Sequence, residues 1–344
     1  MISCLSTEKI SRLDGLLEGA TRVAVVGHTH PDGDALGCTS ALAVYLRDVR
    51  RKGVCCLFSD TPADNLQFIL PGSVPFLFYD REPEAVLDRI AHSDLVVLLD
   101  ANAFSRTEEL APALKASRAR KILIDHHLNP DTEAFDLVFS TPDISSASEL
   151  LYWILRELCG SAEALPADAA RALMTGMTTD TNNFANSVYP TTFQMASELI
   201  AAGVDRDALL QQLYQSYREN RVRLMGYMQH EGLHILPGGG AYMVLTAEIM
   251  DRFDLREGES EGLVNVPLSI GAVRLSVLLK ENGDHFRVSV RSKKGTSAQQ
   301  LALRYFHGGG HENAAGGKLF IGADIPAAAD APAYVESVLQ SFLR

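Results

Sequence analysis

The sequence predicts an α/β protein of two domains: an N-terminal domain on a parallel sheet and a smaller C-terminal α/β domain on a mixed sheet. Three observations carry this expectation. Through about residue 140, short apolar runs alternate with segments of helical character, the βαβ rhythm of a parallel sheet. Beyond about residue 240 the style changes to strand-like runs, two of them joined by Asn282-Gly283, a strong hairpin signal. At 344 residues the chain also exceeds a comfortable single core.

The first segment, MISCLSTEKISRLDGLLEG, has helical spacing and lacks the basic, apolar, small-residue order of a signal peptide, so a cytoplasmic protein is expected. Strands are read at RVAVV (22–26), VCCLFS (54–59), LVVLLD (95–100) and KILID (121–125). Helices are read at ALGCTSALAVYLRDV, SASELLYWILRELC and DAARALMTGMTTD (168–180). A helical tract from Pro190 to about Met228 suits a linker, which divides the chain into residues 1–190, a linker at 191–228 and a second domain at 229–344. In that domain AYMVLTAEIM, VRLSVLLK and HFRVSVRS read as strands, and IPAAADAPA as a loop leading into a last helix.

Composition narrows the function. No apolar run approaches the roughly 18 residues of a membrane span, so no membrane partner is expected. The net charge of −12 opposes tracking of a long phosphate backbone, which needs many cationic contacts; a short anionic ligand in a local pocket is compatible with it. The 5 cysteines are scattered without a Cys-x-x-Cys pair and read as small buried apolar residues.

Charge gathers where the strands end. The first strand runs into HTHPDGDALG with His28, Asp32 and Asp34; another ends in Asp100; a third ends in Asp125-His126-His127; and Asp180 closes a helix. Each alone has a plain reading, since an Asp after a strand caps the next helix and a His pair can be a solvated loop. In an open parallel sheet, however, ligands bind beyond the carboxyl ends of the strands. Carboxylates crowded there repel unless protonated or bridged by cations, and His nitrogen with Asp oxygen suits Mn2+ and related divalent ions.

These motifs resemble those of the DHH-family phosphoesterases: His28-x-x-x-Asp32-x-Asp34 the first, Asp100 the second, Asp125-His126-His127 the third and Asp180 the fourth. Downstream, VSVRSKKGTSAQQLALRYFHGGGHENAAGG resembles the Arg-Ser and Gly-Gly-Gly-His signature of the DHH-associated substrate domain. Cys38 departs from the pattern, standing where many members have Ser. The resemblance implies two divalent ions, Mn2+ by preference, with the active site in a cleft between the domains. By the same likeness His28, Asp32 and Asp100 take one ion and Asp34, Asp100, His126 and Asp180 the other, Asp100 bridging. Asp125 would orient the histidines, His127 would face the scissile phosphate, Gly33 would let the loop turn, and His30 would have no ligand duty. Such a pair of ions supports attack by a bridging hydroxide.

Around Gly308, Gly309, Gly310 and His311, consecutive glycines allow close approach of backbone N–H groups to an anion, aided by a nearby helix start. Arg291 and Ser292 would add a guanidinium fork and a hydroxyl, and Arg106 is a further candidate phosphate contact with an equal reading as a surface arginine. The layout resembles the nano-RNase subgroup, implying an exoribonuclease that takes dinucleotides to about five-mers to mononucleotides, with 3'-phosphoadenosine 5'-phosphate as a further substrate. Cyclic-dinucleotide phosphodiesterases, RecJ-like single-strand exonucleases and a catalytically silent nucleotide-binding protein are the alternatives. The sequence does not set the oligomeric state; a homodimer is the candidate assembly.

Overall fold

In a computed structural model that describes residue 2 and residues 4–343, the chain divides between Ser216 and Tyr217, inside the helical tract read at 190–228. The first unit runs α1 (Thr7–Gly19), β1 (Arg22–Val26), α2 (Gly33–Asp48), β2 (Gly53–Phe58), β3 (Phe76–Phe78), α3 (Pro83–Ala91) and β4 (Leu95–Leu99). It continues with α4 (Ala111–Ala116), β5 (Arg120–Asp125), β6 (Leu137–Ser140), α5 (Ala147–Cys159), α6 (Ala167–Asp180), α7 (Pro190–Ala201) and α8 (Arg206–Tyr214).

All six strands pair in parallel, in the order β3-β2-β1-β4-β5-β6. Alternate strand residues feed two cores. Val23, Val25, Val97, Leu99, Ile122 and Ile124 pack with α1, α2, α5 and α6, while Ala24, Val26, Val96, Leu98 and Leu123 pack with α3 and α4. Covering both faces explains why these strands are continuously apolar rather than alternating. The strand order reverses between β1 and β4, so the loops leaving their carboxyl ends part to opposite sides and open a crevice. Register sets its rim: Val26 of β1 lies beside Leu98 of β4, and Leu99 beside Ile124 of β5. The next residues along β4 and β5 are Asp100 and Asp125, and β1 reaches His28 after Gly27.

The second unit holds α9 (Glu219–His230), β7 (His234–Leu236), β8 (Gly240–Leu245), α10 (Ala247–Arg252), β9 (Leu275–Asn282) and β10 (His285–Ser292). It ends with α11 (Ala298–Tyr305), β11 (Gly309–Gly310), β12 (Ala314–Phe320) and α12 (Ala331–Phe342). Its sheet, ordered β11-β12-β10-β9-β8-β7, is mixed: β8 and β9 are parallel and the other pairs antiparallel. The two-domain α/β class is as the sequence predicts.

Local differences have local causes. AYMVLTAEIM is not one strand: β8 stops at Leu245 and Thr246 accepts from the Ile249 N–H, capping α10. The tract at 190–228 is three helices, not one. Among the described residues no helix is long and apolar enough to cross a membrane.

Candidate functional site

The loop after β1 is held from three sides. His28 Nδ1 lies 2.7 Å from the Thr29 carbonyl, which makes Nδ1 a donor and turns Nε2 toward the carboxylates of the site. The Thr29 N–H donates to the Arg106 carbonyl at 2.8 Å. Asp60, just beyond β2, accepts from the Thr29 hydroxyl at 2.5 Å and the His30 N–H at 2.7 Å, and the His30 ring stands 3.3 Å away. Asp32 does cap α2, its Oδ1 accepting from the Asp34 and Ala35 N–H groups, and the same oxygen lies 3.8 Å from His28 Nε2. Gly33 differs from its sequence reading: it is the first helical residue, not a turn residue. What it supplies is space, since a Cβ there would fall 2.4 Å from the Thr179 hydroxyl.

Asp34, one residue into α2, is almost completely buried and accepts from the Ala147 and Ser148 N–H groups at 2.7 and 3.0 Å. It thus sits on the N-terminus of α5, where orphan amides and the helix dipole favour an anion. Helix α6 brings Asp180 to the same place by lying close against α2. A Cβ on Gly37 would fall 2.9 Å from the Gly176 Cα, and one on Gly176 2.7 Å from Asp34 Oδ1.

Asp100 is the centre. It leaves β4 in a left-handed conformation, φ +56°, while its N–H still pairs with the Ile124 carbonyl at 3.1 Å. Non-glycine residues seldom adopt this conformation, which in Asp100 turns a buried carboxylate back across the strand ends. One oxygen, Oδ2, is 3.4 Å from His28 Nε2; the other, Oδ1, is 3.4 Å from His126 Nε2. His126 Nε2 is also 3.7 Å from Asp180 Oδ2. Asp125, fully buried at the end of β5, accepts from the His127 N–H at 3.0 Å and from His127 Nδ1 at 2.7 Å, fixing that ring.

So many charges in so little water displace one another's protonation. Burial opposes the charged form of His28, but the Asp100 and Asp32 carboxylates outweigh it and push its pKa up to about 10. His126 is raised likewise, burial being outweighed by Asp180 and Asp100. Asp100 is held below the carboxylate range despite burial, because His126 and His28 flank it. Asp34 and Asp180 go the other way: burial, then Asp100 with the neighbouring carboxylates, raises Asp34 well above its ordinary value and Asp180 to about 6.

The donors fit a pair of divalent ions. His28, Asp32 and Asp100 offer ligand atoms within 4.8 Å of one another, and so do Asp34, Asp100 and His126. Asp100 Oδ1 is buried yet, among the described residues, accepts no hydrogen bond of good geometry, a gap that a cation would close. Nitrogen and carboxylate oxygen without thiolate suit a metal of the Mn2+ type. Cys38 is buried, its Sγ turned to the Ala35 carbonyl 3.5 Å away, so the departure at this position removes no ligand.

In the second unit, Arg291 is the penultimate residue of β10, its Nη1 donating to the Val290 carbonyl at 3.0 Å. Ser292 donates its hydroxyl to the Thr296 carbonyl at 2.6 Å and accepts from Asn313 at 2.9 Å, so its proton is committed within the turn. The glycines are not a flexible loop: Gly309 and Gly310 form β11 against β12, and a Cβ on Gly308 would fall 1.9 Å from the Gly316 carbonyl. The Gly308 and His311 N–H groups are spent on the Ala302 and Ala314 carbonyls. The nearby helix start is that of α11, where the Ala298 N–H donates to the Glu312 carbonyl. Arg106 is exposed in a 3-10 turn, Phe104–Leu110.

Sequence reasoning missed Asp60, the α5 N-terminus and Gly176. Asp60 carried a visible signal, a carboxylate directly after a strand. The α5 amides did not, because their partner Asp34 is 113 residues away.

Residues 22–177 match the DHH family, N-terminal domain, and residues 239–332 the DHHA1 domain. The chain is 28% identical over 297 residues to the bifunctional oligoribonuclease and PAP phosphatase NrnA of Bacillus subtilis, covering 85% of this chain and 88% of that one. It is 30% identical to a Streptococcus mutans protein named "Probable bifunctional oligoribonuclease and PAP phosphatase NrnA", covering 84% and 86%. The crystal structure of an exopolyphosphatase-related protein from Bacteroides fragilis superposes with a TM-score of 0.91 at 34% identity, covering 100% of this chain and 98% of that one. Sequence motifs, strand-end geometry and these likenesses converge: the chain belongs to the DHH family of phosphoesterases.

Proposed function

We propose that this protein is a Mn2+-dependent exoribonuclease that hydrolyses dinucleotides to about five-mers to mononucleotides and also takes 3'-phosphoadenosine 5'-phosphate to AMP. The observation that carries the reading is the Asp100 carboxylate, whose two oxygens each stand 3.4 Å from a histidine nitrogen of a different ligand group. The activities named for the Bacillus subtilis relative support this choice of substrate class.

His28, Asp32 and Asp100 would hold one ion, and Asp34, Asp100, His126 and Asp180 the other. When bound, two such ions supply a nucleophile at neutral pH and positive charge at the entering and leaving oxygens. The chain does the rest. Asp125 accepts from the His127 backbone N–H and from ring Nδ1, which orients the ring, and the imidazole would exchange a proton with the leaving oxygen or steady a nonbridging one. Arg291 and His311, with the amide of Gly310, would take the rest of the anionic substrate; Ser292, Gly308 and Gly309 would act by shaping the turn and strand that carry them. Arg106 would meet a phosphate from the loop that also holds Thr29.

The test is a turnover panel with and without Mn2+: diribonucleotide, five-mer, long single strand, cyclic dinucleotide, 3'-phosphoadenosine 5'-phosphate and pyrophosphate. The first two and 3'-phosphoadenosine 5'-phosphate should be consumed fastest. Preference for the cyclic dinucleotide or the long strand would overturn the substrate assignment, and no turnover of any would leave a silent nucleotide-binding protein.

A further inference from the structure

We propose that a cavity beside His127, wholly within the first unit, holds the nucleoside attached to the scissile phosphate and so makes the enzyme read a base as well as a phosphodiester. This rests on the phosphoesterase reading above. The cavity measures about 400 Å³ and is walled by Lys9 of α1, by residues following the Asp-His-His motif, and by Val138, Ser140 and Pro142 around β6. That volume lies within the roughly 300–1,000 Å³ of small-molecule sites.

Its chemistry favours a flat heteroaromatic ring over a second phosphate. Among the described residues Lys9 is its single Lys or Arg side chain, and the Lys9 ammonium already donates to the Val138 carbonyl at 2.9 Å. The remaining walls pair apolar surface from Leu128, Pro130 and Pro142 with polar groups from Asn129, Thr132 and Ser140. Such a wall matches a base with apolar faces and a polar edge. Leu128, directly after the motif, is 40% exposed, an apolar side chain that a bound base would cover.

The walls are also tied to the reaction centre. Asn102, two residues beyond Asp100, donates to the Leu128 carbonyl at 2.8 Å and to the Asn129 carbonyl at 3.4 Å, and its own carbonyl accepts from the Asp131 N–H at 2.8 Å. Asn129 completes the bend in a left-handed conformation, φ +56°. The segment that positions Asp100 therefore holds the cavity wall in place before a ligand arrives, which lowers the ordering cost of binding. His127 belongs both to the site and to the cavity, so a nucleoside seated here has its phosphate beside the ring.

Two variants test this: Thr132→Trp, which fills the cavity from an exposed position, and Leu128→Ala, which removes an apolar wall. Substrates are a diribonucleotide and two analogues, each with one base replaced by hydrogen. In the wild type, removing one of the two bases should raise KM about tenfold more than removing the other; Thr132→Trp should raise the dinucleotide KM about tenfold with little change in kcat, and should not affect the analogue lacking the seated base. Leu128→Ala should move KM in the same direction by a smaller factor.

Folded variants with wild-type KM, or an equal penalty on all three substrates, would overturn the proposal while leaving the activity intact. If the wild type cleaves no dinucleotide, the functional reading fails, and equilibrium binding decides the cavity separately. AMP should bind the wild type and lose about tenfold in Thr132→Trp while ribose 5-phosphate does not. Absent AMP binding, or equal binding by the variant, would overturn the proposal.

Discussion

Asp32 and Asp100 show how one carboxylate carries a structural and a chemical duty together. Asp32 caps α2 with the oxygen that also faces His28, so the capping reading of a post-strand Asp holds here and the ligand reading is compatible with it. The duties separate by mutation. Serine is about as good an N-cap as aspartate, so Asp32→Ser should keep the melting temperature of the metal-free protein, within about 0.5 kcal/mol of stability, while sharply weakening Mn2+ binding. Loss of fold stability with unchanged metal affinity would make Asp32 a cap alone. For Asp100 the duty is position: Asn also tolerates its left-handed backbone, so Asp100→Asn preserves the shape and removes the charge between His28 and His126. Turnover with saturating Mn2+ should then fall by about 10²-fold or more, the scale of losing a principal electrostatic group. Wild-type turnover would refute the bridging role.

At the scale of elements, the α2–α6 contact turns two separate motifs into one site. Gly176 is one of its close points, because an added methyl would meet Asp34 Oδ1 of α2 and Ser148 Oγ of α5. Gly176→Ala should destabilise the first unit by about 1–3 kcal/mol through overpacking and should weaken Mn2+ binding by displacing Asp34, measured by thermal melting and metal titration. An unshifted metal affinity would show that Asp34 is not held by this contact. The contact also marks the limit of the sequence. Strands β1, β2, β4 and β5 were legible because a doubly covered strand writes a continuous apolar run, and the metal-ligand candidates because they are local charge at strand ends. Strands β3 and β6, of three and four residues, are too short to carry a pattern, and only half of AYMVLTAEIM obeys its apparent period because Thr246 caps a helix. The roles of Gly33 and Gly176, and the commitment of the Ser292 proton to Thr296, depend on three-dimensional neighbours that spacing does not encode.

For the whole molecule, the crowded centre couples metal, protons and stability. Without metal, Asp180 is raised from 3.8 to about 6, so the folded chain binds more protons than the unfolded one across that window, and stability falls as pH rises through it. His28, raised from 6.5 to about 10, acts in the same sense: its contribution is full below 6.5 and is lost as pH climbs through about 10. Asp100, held below its ordinary 3.8, opposes them only in acid, where its contribution is lost as pH falls. Between pH 5.5 and 7.5 the metal-free protein should therefore lose stability with rising pH. Metal ions need the same nitrogen and oxygen electron pairs that protons occupy, so binding displaces protons and strengthens as they leave. At pH 7.5, Mn2+ at about 100 times its Kd should add roughly 2.7 kcal/mol, a rise of about 5–10 °C in the melting of a unit this size, and the rise should shrink at pH 5.5. The same titration in weak buffer should acidify the solution. A stabilisation that is equal at both pH values and releases no protons would mean that the ions bind somewhere other than among His28, Asp34, Asp100, His126 and Asp180, because no set with these raised and lowered pKa values can take up a cation without giving up protons.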